Sequence, residues 1–130
     1  MRNLVTALLM LGVISYLQRK NDNPPIYYLK SLPFGFNGLA IPPFGIFIKD
    51  DLKNNSELLL HELVHWKQFQ REGLLLFVLN YSLSSINYGY DGNLYEVEAR
   101  FNEDDFCKSN YTYCVRNGLA KTVYNPSFNP

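Results

Sequence analysis

The stretch around which this chain is organised is His61-Glu62-Leu63-Val64-His65, and it contains both histidines of the 130-residue sequence. On an α-helix, residues i and i+4 share one face with their Cβ atoms roughly 5–6 Å apart. Two imidazoles at that spacing can bind one ion at Zn–N distances of about 2.0–2.1 Å. Glu62 points about 100° away from His61 around the helix axis. The pattern therefore predicts a zinc site on a helix, with Glu62 acting on a bound water rather than on the metal.

The residues around the motif predict a buried helix from Ser56 to about Arg71. Residues 54–56 are all good N-cap residues, and Gly73 ends the helix. The inner positions are apolar and comprise Leu58, Leu59, Leu60, Leu63, Val64 and Trp66. A buried histidine without a partner is energetically costly, so two on one face indicate a function that uses both. The alternative is a structural pair whose hydrogen bonds other side chains satisfy.

Composition predicts one domain with a genuine core. Twelve basic and twelve acidic residues give a net charge of zero, so we expect no nucleic-acid partner. Aromatic residues make up 15% of the chain, a density that excludes a disordered protein. We predict a single domain over residues 21–130, preceded by an apolar segment over residues 1–20.

That N-terminal segment favours a membrane-associated or exported protein. Its apolar stretch runs from Leu4 to Leu17, with Arg2 before it and Arg19 and Lys20 after it. The stretch is shorter than the about 20 residues of a membrane-spanning helix, but it matches the apolar region of a secretory signal or signal anchor. Three interpretations stay open: an uncleaved membrane anchor, a signal peptide, and a helix packed on the domain.

Hydrophobic patterning predicts an α+β fold that is mostly helical. A short β segment, Gly45–Lys49, precedes the motif helix, because β-branched and aromatic residues dominate it. Ile26–Leu32 fits either a strand or a short helix. After the motif, Leu74–Leu83 predicts a second, buried helix, and Leu94 to about Lys108 predicts a third. Tyr88–Asn93 between them is expected to form a loop.

The C-terminal end carries two further predictions. The tail from Tyr111 to Pro130 is rich in Tyr, Asn and Pro and is expected to be irregular. Cys107 and Cys114 either form a disulfide, if the compartment is oxidising, or remain two thiols.

A catalytic zinc needs three protein ligands and one open position, and the motif supplies two. Because the chain has no third histidine, the remaining ligand must be a carboxylate. Glu72 lies about 10 Å beyond His65 along the helix axis, too far to share an ion. The third helix offers the candidates Glu96, Glu98, Glu103, Asp104 and Asp105. Helical spacing alone does not choose among them, but the small Ala99 beside Glu96 permits close helix packing and favours that residue.

Together these features resemble the small gluzincin-type zinc metallopeptidases. The resemblance covers roughly residues 35–106 and rests on two motifs, His61-Glu62-Leu63-Val64-His65-Trp66 and Tyr95-Glu96-Val97-Glu98-Ala99-Arg100. It implies that Glu96, in the Glu-x-x-Ala pattern, is the third zinc ligand. Some of these families follow the alanine with an aspartate that supports a zinc-bound histidine. Arg100 stands at that position here, which leaves the supporting residue unassigned.

The expected chemistry is metal-assisted hydrolysis of a peptide or protein substrate. Zinc would lower the pKa of its bound water toward about 7, and Glu62 would act as general base and then protonate the leaving amine. A tyrosine is the expected second oxyanion donor, with Tyr88, Tyr90 and Tyr95 as candidates or as ordinary packing residues. The Gly45–Lys49 strand is expected at a sheet edge, either binding an extended substrate or simply ending the sheet.

Two rival interpretations follow from the same residues. The first is a catalytically inactive zinc-binding structural or interaction protein, which a fourth protein ligand would indicate. The second is a small membrane protein in which the motif is accidental, and its metal content after purification would reveal it.

Overall fold

The computed structural model describes residues 2–109, and side chains as far as residue 101. Its helices and strands are α1 (Arg2–Arg19), β1 (Ile26–Leu29), β2 (Gly38–Ile41), β3 (Gly45–Lys49), α2 (Ser56–Glu72), α3 (Leu74–Gly92) and α4 (Leu94–Ser109). The predicted α+β, mostly helical class is confirmed. The predictions for the tail Tyr111–Pro130 and for a Cys107–Cys114 disulfide lie outside the described residues.

The three strands form one small sheet in the order β1-β3-β2. The central strand, β3, pairs in parallel with β1 and antiparallel with β2, so that Ile46 lies opposite both Ile26 and Ala40. The prediction that Gly45–Lys49 lies at a sheet edge is therefore wrong. Its branched side chains Ile46 and Ile48 are buried, and a strand that buries such side chains gains most at the centre of a sheet.

The motif helix, α2, packs across this sheet and forms the centre of the core. Its buried apolar residues meet Ile46 and Ile48 of β3, and they are Leu59, Leu60, Leu63, Val64, Trp66 and Phe69. The edge strand β2 also approaches α2 closely at Gly38, where an added Cβ would lie 3.2 Å from Glu62 Cγ. The missing side chain at Gly38 thus allows β2 to run directly beside the second residue of the motif.

The second helix differs from its prediction in length and in burial. Helix α3 continues to Gly92, through the predicted loop, with one non-helical residue at Gly89 (φ +74°). Only Phe77 and Ser84 are buried along it, and several of its large apolar side chains are exposed. The prediction of a buried helix is wrong. The helix is apolar on several sides, but it packs mainly against α2 and α4, so the apolar side chains on its other sides stay exposed.

The apolar N-terminal segment forms the helix α1, which buries none of its residues. Its end is attached to the domain, because the Arg19 guanidinium donates hydrogen bonds to the carbonyls of Gln70 (2.8 Å) and Arg71 (3.0 Å). These are carbonyls of the last turn of α2, which a positive charge stabilises. None of the helices in the described residues has the length and apolarity needed to cross a membrane. Membrane association through Leu4–Leu17 stays a prediction.

The N-terminus of α2 provides a test of how the motif helix is held. Of the three predicted capping residues, Asn55 is the cap, and its Oδ1 accepts a hydrogen bond from the Leu58 N–H at 3.0 Å. We expect Asn55→Ala to lower the free energy of unfolding of the metal-free protein by about 1 kcal/mol, because that N–H loses its acceptor. Urea denaturation measures this, with Asn54→Ala as the matched control. Equal losses for both variants would contradict the assignment of the cap.

Candidate metal centre

Three side chains from two helices converge beside the sheet: His61, His65 and Glu96. One ligand atom from each lies within 4.8 Å of the other two. His61 Nε2 is 2.8 Å from Glu96 Oε2, and His65 Nε2 is 3.1 Å from Glu96 Oε1. The ligand atoms of a tetrahedral ion bound at about 2.0–2.2 Å lie about 3.3 Å apart. The group can therefore hold a metal ion, as the sequence predicted for these three residues.

The choice between the two glutamates of α4 follows from helix packing. Ala99 is 0% exposed, so α4 lies close against its neighbours at that point, and Glu96 stands one turn before it. Glu98 faces elsewhere, and its Oε1 accepts hydrogen bonds from Arg71 Nη1 at 2.8 Å and Gln68 Nε2 at 3.3 Å. Glu96 rather than Glu98 therefore joins the two histidines.

Hydrogen bonds between the imidazoles and the buried carboxylate shift the pKa values of both partners. Burial alone would raise the pKa of Glu96, but hydrogen bonds from His61 and His65 outweigh it and hold that pKa far below its usual range. Burial would likewise lower the pKa of His65, but the Glu96 carboxylate raises it above its ordinary value. The buried carboxylate thus stays charged and attracts positive charge to the imidazoles.

Glu62, the predicted general base, lies next to the group but outside it. Its side chain is buried, and this burial raises the pKa of its carboxyl, while a backbone hydrogen bond at Ala40 of β2 lowers it. Glu62, His65 and Glu96 all line a cavity of about 260 Å³. The rest of the wall comes mainly from β2 with its flanking residue Phe36, and from α3. A bound molecule in this cavity would contact Glu62 and the metal group together.

The tyrosines are arranged differently from the prediction. Tyr90 lines the cavity, whereas Tyr88 is not among the lining residues and Tyr95 donates a hydrogen bond to Glu72 at 2.6 Å. Sequence reasoning missed Tyr81, which lines the cavity and whose hydroxyl donates to Glu96 Oε1 at 2.6 Å. The available signal was a residue with a polar group inside the apolar run Leu74–Leu83, since a buried tyrosine hydroxyl usually has a partner.

Three comparisons were made, with protein-family models, with curated proteins and with solved structures, and none found a match. The likeness to gluzincins therefore stays a prediction from the two sequence motifs.

The pKa directions predict opposite pH responses for stability and for metal binding. Because the folded-state pKa of His65 is raised above 6.5, its stabilising effect is fully present below pH 6.5 and is lost as the pH rises through the folded pKa. The raised pKa of Glu62 acts in the same direction. A metal, in contrast, displaces protons from the imidazoles, so its affinity should increase with pH.

Thermal melting of chelator-treated protein between pH 5.5 and 8.5, beside zinc titrations in the same buffers, measures both responses. We expect the Tm of the metal-free protein to fall above pH 6.5 while zinc affinity rises. Glu96→Gln, which removes the charged partner of His65, should flatten the fall in Tm. A metal-free Tm that rises over this range would contradict the prediction.

Proposed function

We propose that this chain is a zinc-dependent hydrolase of peptide bonds, a small gluzincin-like metallopeptidase. His61, His65 and Glu96 are the proposed zinc ligands, and Glu62 is the proposed general base. The observation that carries the proposal is the position of Glu62, buried beside three convergent ligand side chains, outside their group and on the wall of the same cavity. A purely structural zinc site has no need of a buried carboxylate facing a cavity at the metal.

The donor set favours zinc as the ion. Two imidazole nitrogens and one carboxylate oxygen are the three protein ligands typical of catalytic zinc in peptidases, with the fourth position left open. Within residues 2–101, the only group of His, Cys, Asp and Glu ligands that could hold an ion consists of these three side chains. This supports an open site rather than the closed, four-ligand site of a structural zinc protein.

In the proposed hydrolysis, the metal and Glu62 have separate roles. Zinc, when bound, supplies a Lewis acid that polarises the scissile carbonyl and acidifies the attacking water. Glu62 accepts the proton of that water and then delivers it to the leaving amine. Its position on the wall of the cavity beside the proposed ligands allows the carboxyl to exchange a proton with a molecule bound there.

The substrate is proposed to bind along β2. This strand lies at the edge of the sheet and lines the cavity through Gly38, Leu39 and Ala40. An extended peptide that pairs with an edge strand is held by backbone hydrogen bonds. Because the Ala40 backbone is hydrogen-bonded to Glu62, a peptide paired with β2 would run past the proposed general base. We therefore assign to β2 the substrate-binding role that was one alternative for Gly45–Lys49.

Tyr90 is the proposed donor to the developing oxyanion. It lines the cavity, and a tyrosine hydroxyl keeps its proton at neutral pH because its ordinary pKa is about 10. The Tyr81 hydroxyl already donates to Glu96, and we assign it to holding that carboxylate in place.

The general base is tested by Glu62→Gln. The variant should bind zinc with the same stoichiometry as the wild type, about one ion per chain, and lose at least about 100-fold in hydrolysis of a library of internally quenched peptides. Glu57→Gln, an exposed residue in the first turn of α2, is the matched control and should keep both properties. Full activity of Glu62→Gln would overturn its role, and zinc binding by a wild type that cleaves no library peptide would support the inactive zinc-binding alternative.

The ligands are tested by zinc stoichiometry. His65→Ala and Glu96→Ala should each lose stoichiometric zinc after dialysis against a weak chelator, because two remaining ligands bind zinc poorly. Glu98→Ala should retain it, since Glu98 pairs with Arg71 and Gln68 instead. Zinc retained by Glu96→Ala and lost by Glu98→Ala would assign the third ligand to Glu98.

A further inference from the structure

Gln68 is a buried polar residue that the proposed function leaves unused. Its side chain is 1% exposed, and burying an amide is costly unless its polar atoms are hydrogen-bonded. Its Oε1 lies 2.8 Å from His65 Nδ1, the ring nitrogen that does not face Glu96. Its Nε2 donates to the backbone carbonyl of Tyr95 at 2.9 Å and to Glu98 Oε1 at 3.3 Å.

These partners leave the amide only one orientation. A backbone carbonyl and a carboxylate can only accept hydrogen bonds, and the Glu98 carboxylate is also paired with the Arg71 guanidinium at 2.8 Å. If the amide were flipped, its oxygen would face these two acceptors. The NH₂ group of Gln68 must therefore point toward Tyr95 and Glu98, and its oxygen must point toward His65.

The orientation of the amide in turn selects the tautomer of His65. An amide oxygen only accepts hydrogen bonds, so the proton of the 2.8 Å contact belongs to His65 Nδ1. In the neutral imidazole, Nε2 then carries the free lone pair. In the metal-free protein Nε2 instead carries a second proton and donates it to Glu96 Oε1 at 3.1 Å. A metal that displaces this proton meets the lone pair on the side where the three proposed ligands converge.

We propose that Gln68 is the positioning residue of the metal centre, which fixes the tautomer and the ring orientation of His65 so that Nε2 is presented to the metal. Gln68 also joins the two helices that carry the ligands, because it bonds His65 of α2 and the backbone of α4 at Tyr95, the residue before Glu96. The proposal rests on the proposed zinc site and assigns the supporting residue that position 100 does not supply, since Arg100 donates to the carbonyl of Asp91 instead.

Two substitutions at position 68 separate positioning from packing. Gln68→Met keeps the volume but removes the acceptor, and we expect zinc affinity to fall about 10- to 100-fold, as is typical when the partner of a metal-bound histidine is lost. Gln68→Glu combined with Glu98→Gln keeps an acceptor for Nδ1 and a donor–acceptor pair between positions 68 and 98, but it sets a carboxylate oxygen against the Tyr95 carbonyl. We therefore expect it to lower the Tm of the metal-free protein and yet to bind zinc more tightly than Gln68→Met. If Gln68 only fills space, the order reverses, because buried methionine is then the better-tolerated change.

The affinities are measured on the full chain by competition with a chromogenic zinc chelator, and the visible spectrum of the Co²⁺-substituted protein reports the ligand geometry. Gln70→Met is the matched control, because Gln70 lies on the same helix and bonds Asn21 and Asp22 rather than His65. It should bind zinc within about twofold of the wild type. Thermal melting of each metal-free variant checks that it folds.

Imidazole ¹⁵N spectra of the zinc-loaded wild type test the tautomer without any substitution. They should show a proton on His65 Nδ1 and none on Nε2. The reverse tautomer, or wild-type affinity and cobalt spectrum in Gln68→Met, would overturn the role of Gln68 and leave the proposed hydrolase intact. A wild type that binds no zinc would instead overturn the metal site and this proposal together.

Discussion

The packing of α4 on α2 is the constraint on which the candidate site depends. Two imidazoles one helical turn apart are supplied by α2 alone, but the third proposed ligand must reach them from another helix. Ala99, fully buried where α4 meets the core, allows an approach that a larger side chain would prevent. Glu96 stands one turn earlier and thereby comes within hydrogen-bond distance of both histidines.

A hydrogen-bonded polar network holds this packing in one arrangement. Asn93 is fully buried, and its amide donates to the Tyr81 carbonyl while its Oδ1 accepts from the Tyr95 N–H. It therefore caps α4 and attaches it to α3. Together with Gln68, which joins α2 to α4, it satisfies buried polar groups whose partners are set by distance and angle. Apolar packing alone tolerates small shifts, but such a network does not, and a metal site needs this precision.

The helix motif and the main features of α2 could be predicted from the sequence because they are local. The 3.6-residue period of the apolar positions, the capping residues and Gly73 predicted a helix from Ser56 to about Arg71, and the observed helix is Ser56–Glu72. The same local spacing placed His61 and His65 on one face. For Glu96, the small residue Ala99 three positions later was a usable signal, since it indicated close packing.

The remaining features depend on contacts between residues far apart in the chain, and no local pattern records those. The central place of β3 follows from its pairing with two strands at once, and the exposure of α3 follows from how few elements cover it. The role of Tyr81 at Glu96, and that of Gln68 between His65 and Tyr95, arise only when three helices are assembled. The sequence by itself determined which residue types could bind an ion and on which helix; the tertiary structure decided which carboxylate meets them, because that choice is made by packing across some thirty residues of intervening chain.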